Sequence, residues 1–578
     1  MVETTGFAFF TRAWWTPSRQ AQLLFFIAAV LIFAGIGLRS PWPADEPRFV
    51  EVAREMVDNG QWLFPTRAGE YYPDKPPVFM WSIAGFYEVL GNLKVAFLLP
   101  SALSGMLMLW LVYDLGRRLW NPRTALQAVF LLLVTPQFIS EAKDCQIDAM
   151  VSCMITLGCY GLMRHFFLGP DWKWYFLGWA AMGLGIITKG VGFLPLLMLI
   201  PLAVVTRRVP GAMASRWRWI GWAGPLAMLA VVATWLVPMV LTVNHINTPA
   251  LQEYKQNILF HQTAHRYAHA WHHLHPWYYF LVAVIPLMWF PLPLLMLAKW
   301  RELKQQFLAD PRVFVLLCWV VLVIVFFSLS PGKRGVYILP ALPMLCLALA
   351  VVWQGTVKAR WFNAGLAIAL WVVVALLTVF ALMVLTDQPA VQKVVREYQG
   401  IAHPLAALML GGIAAAAVLL VLLRRQDIML RFGAITALVW LLISFAAYPL
   451  MEDYRTPRVV LAKTRQAIGA DGELALVQLK EQFILFSPID ITHFGYLPSV
   501  GEQERNAWLW QQERPRRFIL IPSGEKLQCY DLGKAEDMGT VFRKHWLLLP
   551  SSARRADCPA PEHKQRFLNH APGRWQVQ

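Results

Sequence analysis

The sequence predicts an all-α polytopic membrane protein with a small α/β domain at its C-terminus, and three observations predict it. Of 578 residues, 57% are hydrophobic and 15% charged, where soluble domains carry about a quarter charged residues. Apolar runs recur along most of the chain, each long enough to cross about 30 Å of hydrocarbon. The mean hydropathy of the whole is +0.46. Beyond Tyr448 the character changes: Met451–Gln578 is polar, with short β-like runs ("ELALVQL", "QFILF", "RFILIP") between helix-like ones. The expected division is a membrane domain over residues 1–450 and an α/β domain over 451–578.

The membrane segments come first. About thirteen spans are expected by length and apolarity, starting near Ala21, Lys94, Thr124, Ile147, Trp174, Val191, Ile220, Trp277, Arg312, Val336, Phe362, Leu405 and Arg431. The first of these runs lacks a small-residue cleavage site and reads as an anchor rather than a removable signal. The net charge of +17 raises a nucleic-acid reading, but its distribution excludes it. Arg and Lys concentrate in alternate loops ("GRRLWNPR", "TRRVPGAMASRWRW", "AKWRELK", "VKARW", "LLRRQDIMLR"). Such loops face the cytoplasm, so the basic excess sets orientation. An odd number of spans then places the tail domain outside, in the periplasm of a Gram-negative cell. Five of the seven cysteines lie in apolar segments; Cys529 and Cys558 fall in the tail and are candidates for a disulfide there.

With that orientation the unusual ionisable residues gather in the external loops. A charge at membrane depth costs about 2.5–3.5 kcal/mol, so it marks function or a paired structural role. The first loop opens with Asp45 and Glu46 at the start of "PRFVEVAREMVDNG". Phe49, Val50, Ala53, Met56 and Val57 share a face of that predicted helix, with Arg48 elsewhere, so it is expected to lie amphipathically on the membrane surface. Pro47 suits its first turn and Asn59-Gly60 its stop. Glu46 can serve as a cap or as a site residue. "YYPDKPP" follows, with Tyr72 at its start and Pro73 and Pro76 fencing Asp74 and Lys75. A rigid mount suits a lysine that meets an anion at the lipid–water boundary. The apolar run after it, about 14 residues, is short for a span and reads as a second interfacial helix.

The second external loop holds Asp144 and Asp148, four apart and able to share a helix face. Lys189 stands at an external helix end, where it can contact substrate or snorkel to headgroups. "FHQTAHRYAHAWHHLHPWYYF" carries six of the thirteen histidines. His261, His265 and His269 would align on a helix and leave a divalent metal open, although the sequence requires no cofactor. Arg266 among them can hold a phosphate in a two-pronged grip. Finally, Lys333 and Arg334 break the inside-positive pattern, and with Tyr337 nearby they form an anion clamp. External cations beside external acids suggest one mixed site at the bilayer surface, with a lipid phosphate as ligand.

"ADEPRF", "YPDKPP", "ITKG", "HPWYY" and "SPGKRGVYILPALP", in this order, resemble the GT-C glycosyltransferases related to protein O-mannosyltransferases. Within them the chain is most similar to the bacterial aminoarabinose lipid A transferases. The resemblance implies a polyprenyl-phosphate sugar donor, undecaprenyl phosphate in bacteria, and a lipid A phosphate as acceptor, in the inner membrane. It also implies polymyxin resistance through loss of negative surface charge. Donor-phosphate candidates are Lys75, Arg266, Lys333, Arg334 and Tyr337; catalytic candidates are Asp45, Asp148 and Glu46; further substrate contacts are Arg48, Tyr72, Asp74 and Lys189. Transfer of another sugar to protein or envelope glycan stays open. A transporter or lipid flippase is the rival of another class, against which stand the lack of an internal repeat and the gathering of ions at one end of the spans.

Overall fold

The computed structural model describes residues 16–215, 218–260, 274–353, 360–398, 400–541 and 543–572. Helices begin within a few residues of each of the thirteen expected starts. Among the described residues, however, only eight helices are long and apolar enough to cross a membrane by themselves. Two more are bent pairs: Pro122–Val134 with Pro136–Lys143, at 70°, and Phe280–Met288 with Leu292–Ala298, at 98°. The other three expected spans are the helices Pro17–Phe33, Trp172–Lys189 and Leu199–Arg208, of 17, 18 and 10 residues. The thirteen expected segments thus comprise eight long apolar helices, two pairs bent at proline and three shorter or less apolar helices.

Local chemistry sets the ends that matter for the site. Thr135 leaves the helical region at φ −76°, ψ 121°, just before Pro136, and the chain turns there. The turn carries Lys143 to the end of the first helix, where its ammonium donates to the carbonyls of Leu31 (2.7 Å) and Ala34 (2.6 Å). Those carbonyls have no helical partner, so the lysine acts as a C-terminal cap. The helices Ile147–Leu168 and Trp172–Lys189 form a tight antiparallel hairpin. A Cβ on Gly161 would meet the carbonyl oxygen of Trp174 at 2.4 Å, so the two backbones approach closely only because that position is glycine. The hairpin brings Asp148, at the start of one helix, beside Lys189, at the end of the other.

The tail domain is a six-stranded mixed sheet. Its order is Glu536–Val541, Lys544–Leu549, Arg517–Pro522, Glu473–Leu476, Ile491–His493, Phe567–Asn569. The central Glu473–Leu476 strand pairs in parallel with both neighbours; the outer pairings are antiparallel. Cys529 and Cys558 are joined in a disulfide, Cα atoms 4.9 Å apart. "ELAL" and "RFILIP" are strands, but "QFILF" is part of the helix Glu481–Phe486. Every residue of that short helix is buried, and a short, fully buried apolar run has no period to separate helix from strand.

The first loop holds a second correction. The helix Glu46–Asn59 rests its apolar face on protein, where a membrane surface was expected. Its apolar face is buried, and so are Glu51, Arg54 and Glu55. It sits between the 13-residue helix Val78–Leu90, with Phe49 and Phe79 edge-to-face at 5.3 Å, and the tail domain. One apolar core joins Val50, Met56 and Phe79 to Phe483, Leu520 and Trp546 of the tail. His493 accepts this role at the seam: its Nε2 lies 2.7 Å from the carbonyl of Ala68, and burial pushes its pKa down to about 4.

Candidate active site

Two adjacent acids at the start of the Glu46–Asn59 helix have different surroundings. Asp45 occupies the N-cap position but makes no side-chain capping bond. Its carboxylate instead accepts from Arg334 at 2.9 Å, with Arg48 at 3.9 Å. Burial would raise the Asp45 pKa, but Arg334, Arg48 and Lys189 together hold it below the ordinary carboxylate value. Glu46 faces the other way. It accepts two guanidinium bonds from Arg39 (2.5 and 2.7 Å) and the backbone N–H groups of Trp42 and Cys145 (2.8 Å each). Arg39 is buried under the rings of Trp42, Phe97 and Tyr448. Close by, Glu452 accepts from the backbone of Ser40 and the indole of Trp42, each at 3.1 Å, and ties the loop to the last membrane helix. Glu46 is thus saturated by structural partners.

Around Asp45 and Arg334 the fold gathers Asp148, Lys189 and Tyr337. Asp148 and Lys189 are ion-paired through the hairpin. The Lys189 ammonium lies 5.0 Å from the centre of the Tyr337 ring. Arg334 lies within electrostatic reach of Asp148 and Tyr337 as well as Asp45. Its position is fixed from behind: Gln137 donates to the carbonyl of Gly335 (2.7 Å) and accepts from the indole of Trp289 (2.6 Å). Lys333 also serves the loop. It is buried, and its ammonium donates to the carbonyls of His275 (2.8 Å) and Ser330 (2.6 Å). The expected Lys333–Arg334 pair therefore divides its work, Arg334 facing the acids and Lys333 pinning the turn.

A second polar group lies where the tail domain meets the first loop. Glu481 of the tail accepts from Arg48 at 3.3 Å and is ion-paired with Arg67 at the same distance. The Arg67 guanidinium stacks 3.7 Å above the ring of Tyr496. Tyr72 is buried there, and burial with Asp74 nearby raises its pKa. Arg48 connects the two groups. Burial opposes its charge, but Tyr72, Glu481, Asp45 and Asp74 together raise its pKa. The Lys75 ammonium donates to the carbonyl of Asp74 at 3.0 Å. Asp45, Arg48, Tyr72 and Asp74 thus share one electrostatic neighbourhood, with Lys75 beside it.

Arg266, His261, His265 and His269 lie outside the described residues. Among the described residues, no group of three His, Cys, Asp or Glu side chains is placed to hold a metal ion. Sequence reasoning passed over Glu141, Arg67, Glu481 and Tyr496. Glu141 is buried within electrostatic reach of Asp148, Asp144, Lys189 and Arg334, and one of its oxygens has no partner among the described residues.

Two family models tile this region. The dolichyl-phosphate-mannose-protein mannosyltransferase family matches residues 74–236, and the Alg9-like mannosyltransferase family matches 248–403. The fold matches the crystal structure of ArnT from Cupriavidus metallidurans bound to undecaprenyl phosphate, with a TM-score of 0.69. That match covers 93% of this chain and 99% of the other, at 21% identity, so it extends into the tail domain. The chain is thus similar to lipid-linked-sugar glycosyltransferases over two successive stretches and shares the fold of ArnT. It is 29% identical over 347 residues to an undecaprenyl phosphate-alpha-4-amino-4-deoxy-L-arabinose arabinosyl transferase of Pseudomonas fluorescens. It is 30% identical over 343 residues to the transferase of that name in Pseudomonas aeruginosa. The matched regions span 59% of each relative's length, and 59% and 57% of this chain.

Proposed function

We propose that this protein moves 4-amino-4-deoxy-L-arabinose from undecaprenyl phosphate to a phosphate of lipid A, at the periplasmic face of the inner membrane. Loss of negative surface charge then confers resistance to polymyxin and other cationic peptides. The observation that supports this most is the Asp45–Arg334 pair at 2.9 Å, beside the Asp148–Lys189 pair. Such a donor carries an anionic phosphodiester and a cationic sugar. A paired acid and base is its mirror image: Arg334 leaves Asp45 for the phosphate, and Asp45 takes the sugar ammonium. The exchange keeps every charge compensated, as a partly buried site demands.

In the transfer, an oxygen of the lipid A phosphate forms a bond to the anomeric carbon as the bond from that carbon to the donor phosphate oxygen breaks. Undecaprenyl phosphate leaves with the electron pair. The nucleophile is already ionised near neutral pH, so no strong general base is required. What the site supplies is stabilisation of the leaving phosphate, whose negative charge grows in the transition state. Arg334 is the first candidate for that task, with Lys75, Arg266, Lys189 and Tyr337 contributing and Lys333 holding the loop. Asp45 and Asp148 steady the positive charge that develops on the sugar ring or stands on its amino group.

The test is mass spectrometry of lipid A from cells with and without the gene. The reading predicts a sugar-sized addition on lipid A phosphate only when the gene is present, lost with Asp45→Ala at normal protein level. Unmodified lipid A beside newly glycosylated envelope protein would replace the acceptor in this reading.

A further inference from the structure

At the opposite end of the bundle, the helices Pro17–Phe33, Pro122–Val134 and Ile428–Leu442 enclose a cavity of about 470 Å³. That size is within the range of small-molecule sites, roughly 300–1,000 Å³. Its wall follows one helix from Arg123 to Val134, about 16 Å at 1.5 Å per residue. It is a slot, long and narrow, with Leu24, Leu31, Phe130 and Ala434 along it. Two of the three bounding helices start at the slot's mouth and run toward the Asp45 site. Pro17–Phe33 leads to Arg39, and Pro122–Val134 leads to Asp144.

Two polar groups interrupt the apolar lining on one face of one helix. Arg123 is exposed at the mouth. Gln127, four residues further in, is 5% exposed, and its Nε2 has no hydrogen-bond partner among the described residues. An amide N–H left unpaired in an apolar wall is costly, so its presence points to an acceptor that comes from outside the chain. Side chains four apart on a helix are neighbours, and the helix start adds positive partial charge. Together they make an anion seat at the head of an apolar slot.

We propose that this slot binds a lipid phosphate, its phosphate held between Arg123 and Gln127 and one apolar chain lying along Leu24, Leu31 and Phe130. The site is separate from the acid–cation cluster and independent of the sugar that cluster handles. A glycerophospholipid and an isoprenoid phosphate share the required chemistry.

The experiment is native mass spectrometry of the full-length protein in detergent, with three added probes. These are oleoyl lysophosphatidic acid, farnesyl phosphate and, as zwitterionic control, oleoyl lysophosphatidylcholine. The proposal expects one equivalent of a phosphate-headed probe, and whichever of the two binds better identifies the lipid class. Arg123→Ala with Gln127→Leu should weaken it about a hundredfold, on the scale of one charge-assisted hydrogen bond and one neutral one. Ala434→Trp should block the slot without altering any charge. Arg424→Ala with Arg425→Ala, which removes exposed cations from the adjacent loop, should leave binding unchanged. Equal loss in that control, undiminished binding to Ala434→Trp, or equal uptake of the zwitterion would overturn the proposal. Binding that appears only after removal of residues 1–15 would also overturn it, because the chain's own start would then be the natural occupant.

Discussion

Asp45 and Glu46 are neighbours in sequence and opposites in setting. The Glu46 side chain is 6% exposed and its partner Arg39 1%, and every oxygen of that carboxylate meets a fixed donor. The Asp45 side chain is 19% exposed and its partner Arg334 36%, and the pair stands on a surface that other charges approach. The first arrangement is complete without a ligand, while the second is the pair that the proposed mechanism parts when the donor binds. Saturation, more than burial or charge, separates Glu46 from Asp45, the acid proposed to work in transfer. The Asp148–Lys189 pair sits with the second kind by location and with the first by its own burial.

The comparison breaks most easily through activity. Asp45→Ala or Arg334→Ala should lower transfer by ~100-fold or more, the scale seen when one transition-state donor is lost. Thermal stability should stay close to that of the parent, because the pair is partly exposed and worth little by itself. Full transfer by either variant would remove that residue from the chemistry.

Glu46→Ala should do the reverse. It leaves a buried guanidinium without its anion, a change that costs about 3–5 kcal/mol. Melting temperature and yield should fall together, and whatever protein folds should retain transfer. A stable but inactive Glu46→Ala protein would return Glu46 to the catalytic candidates.

Glu481→Gln sharpens the contrast by loosening Arg48 from the tail domain. The Arg48–Glu481 contact is 3.3 Å and about a third exposed on the arginine side. A few-fold rise in KM with kcat little changed is the expected result, since Arg48 positions rather than reacts. An unchanged KM would show that the tail domain does not influence the site through this contact.

The smallest effect is a pH dependence, and the two kinds of acid differ in sign. The Asp45 pKa is depressed by Arg334 and Arg48 against the pull of burial, so its contribution is present above the ordinary value of about 3.9 and is lost only as pH falls below it. Transfer should therefore show no Asp45 titration between pH 5 and 8. Glu55 is the counter-case: burial, with Glu51 beside it, pushes its pKa up to about 7. A raised carboxylate pKa means the folded state holds the proton longer, so stability falls as pH rises from the unfolded value through 7. Glu55→Gln should flatten the melting temperature between pH 5 and 8; a dependence as steep as the parent's would place the titration elsewhere.

Much of this contrast was legible in the residues. Apolar run lengths gave the helical membrane class, and the alternating basic loops grouped Asp45, Asp148, Lys189 and Arg334 before any coordinates. Asp45 stands out in sequence because it precedes Glu46, the expected cap; the structure puts Asp45 itself at the N-cap position, without a side-chain capping bond. Glu46 was ambiguous as cap or site residue, and its true partner is seven residues back while Glu452 closes the clamp from the far end of the bundle. The Glu46–Asn59 helix was misplaced on the membrane surface because its cover comes from the tail domain, which no local pattern encodes. Glu481 and Arg67 were invisible for the same physical reason: their meeting is a property of tertiary packing.

The most direct measurement is donor consumption by purified Asp45→Asn and Glu46→Gln proteins, each with its melting temperature. The account predicts that Asp45→Asn stops consuming the isoprenoid-linked sugar while melting as the parent does, and that Glu46→Gln melts lower yet turns over. Undiminished turnover by Asp45→Asn would contradict it.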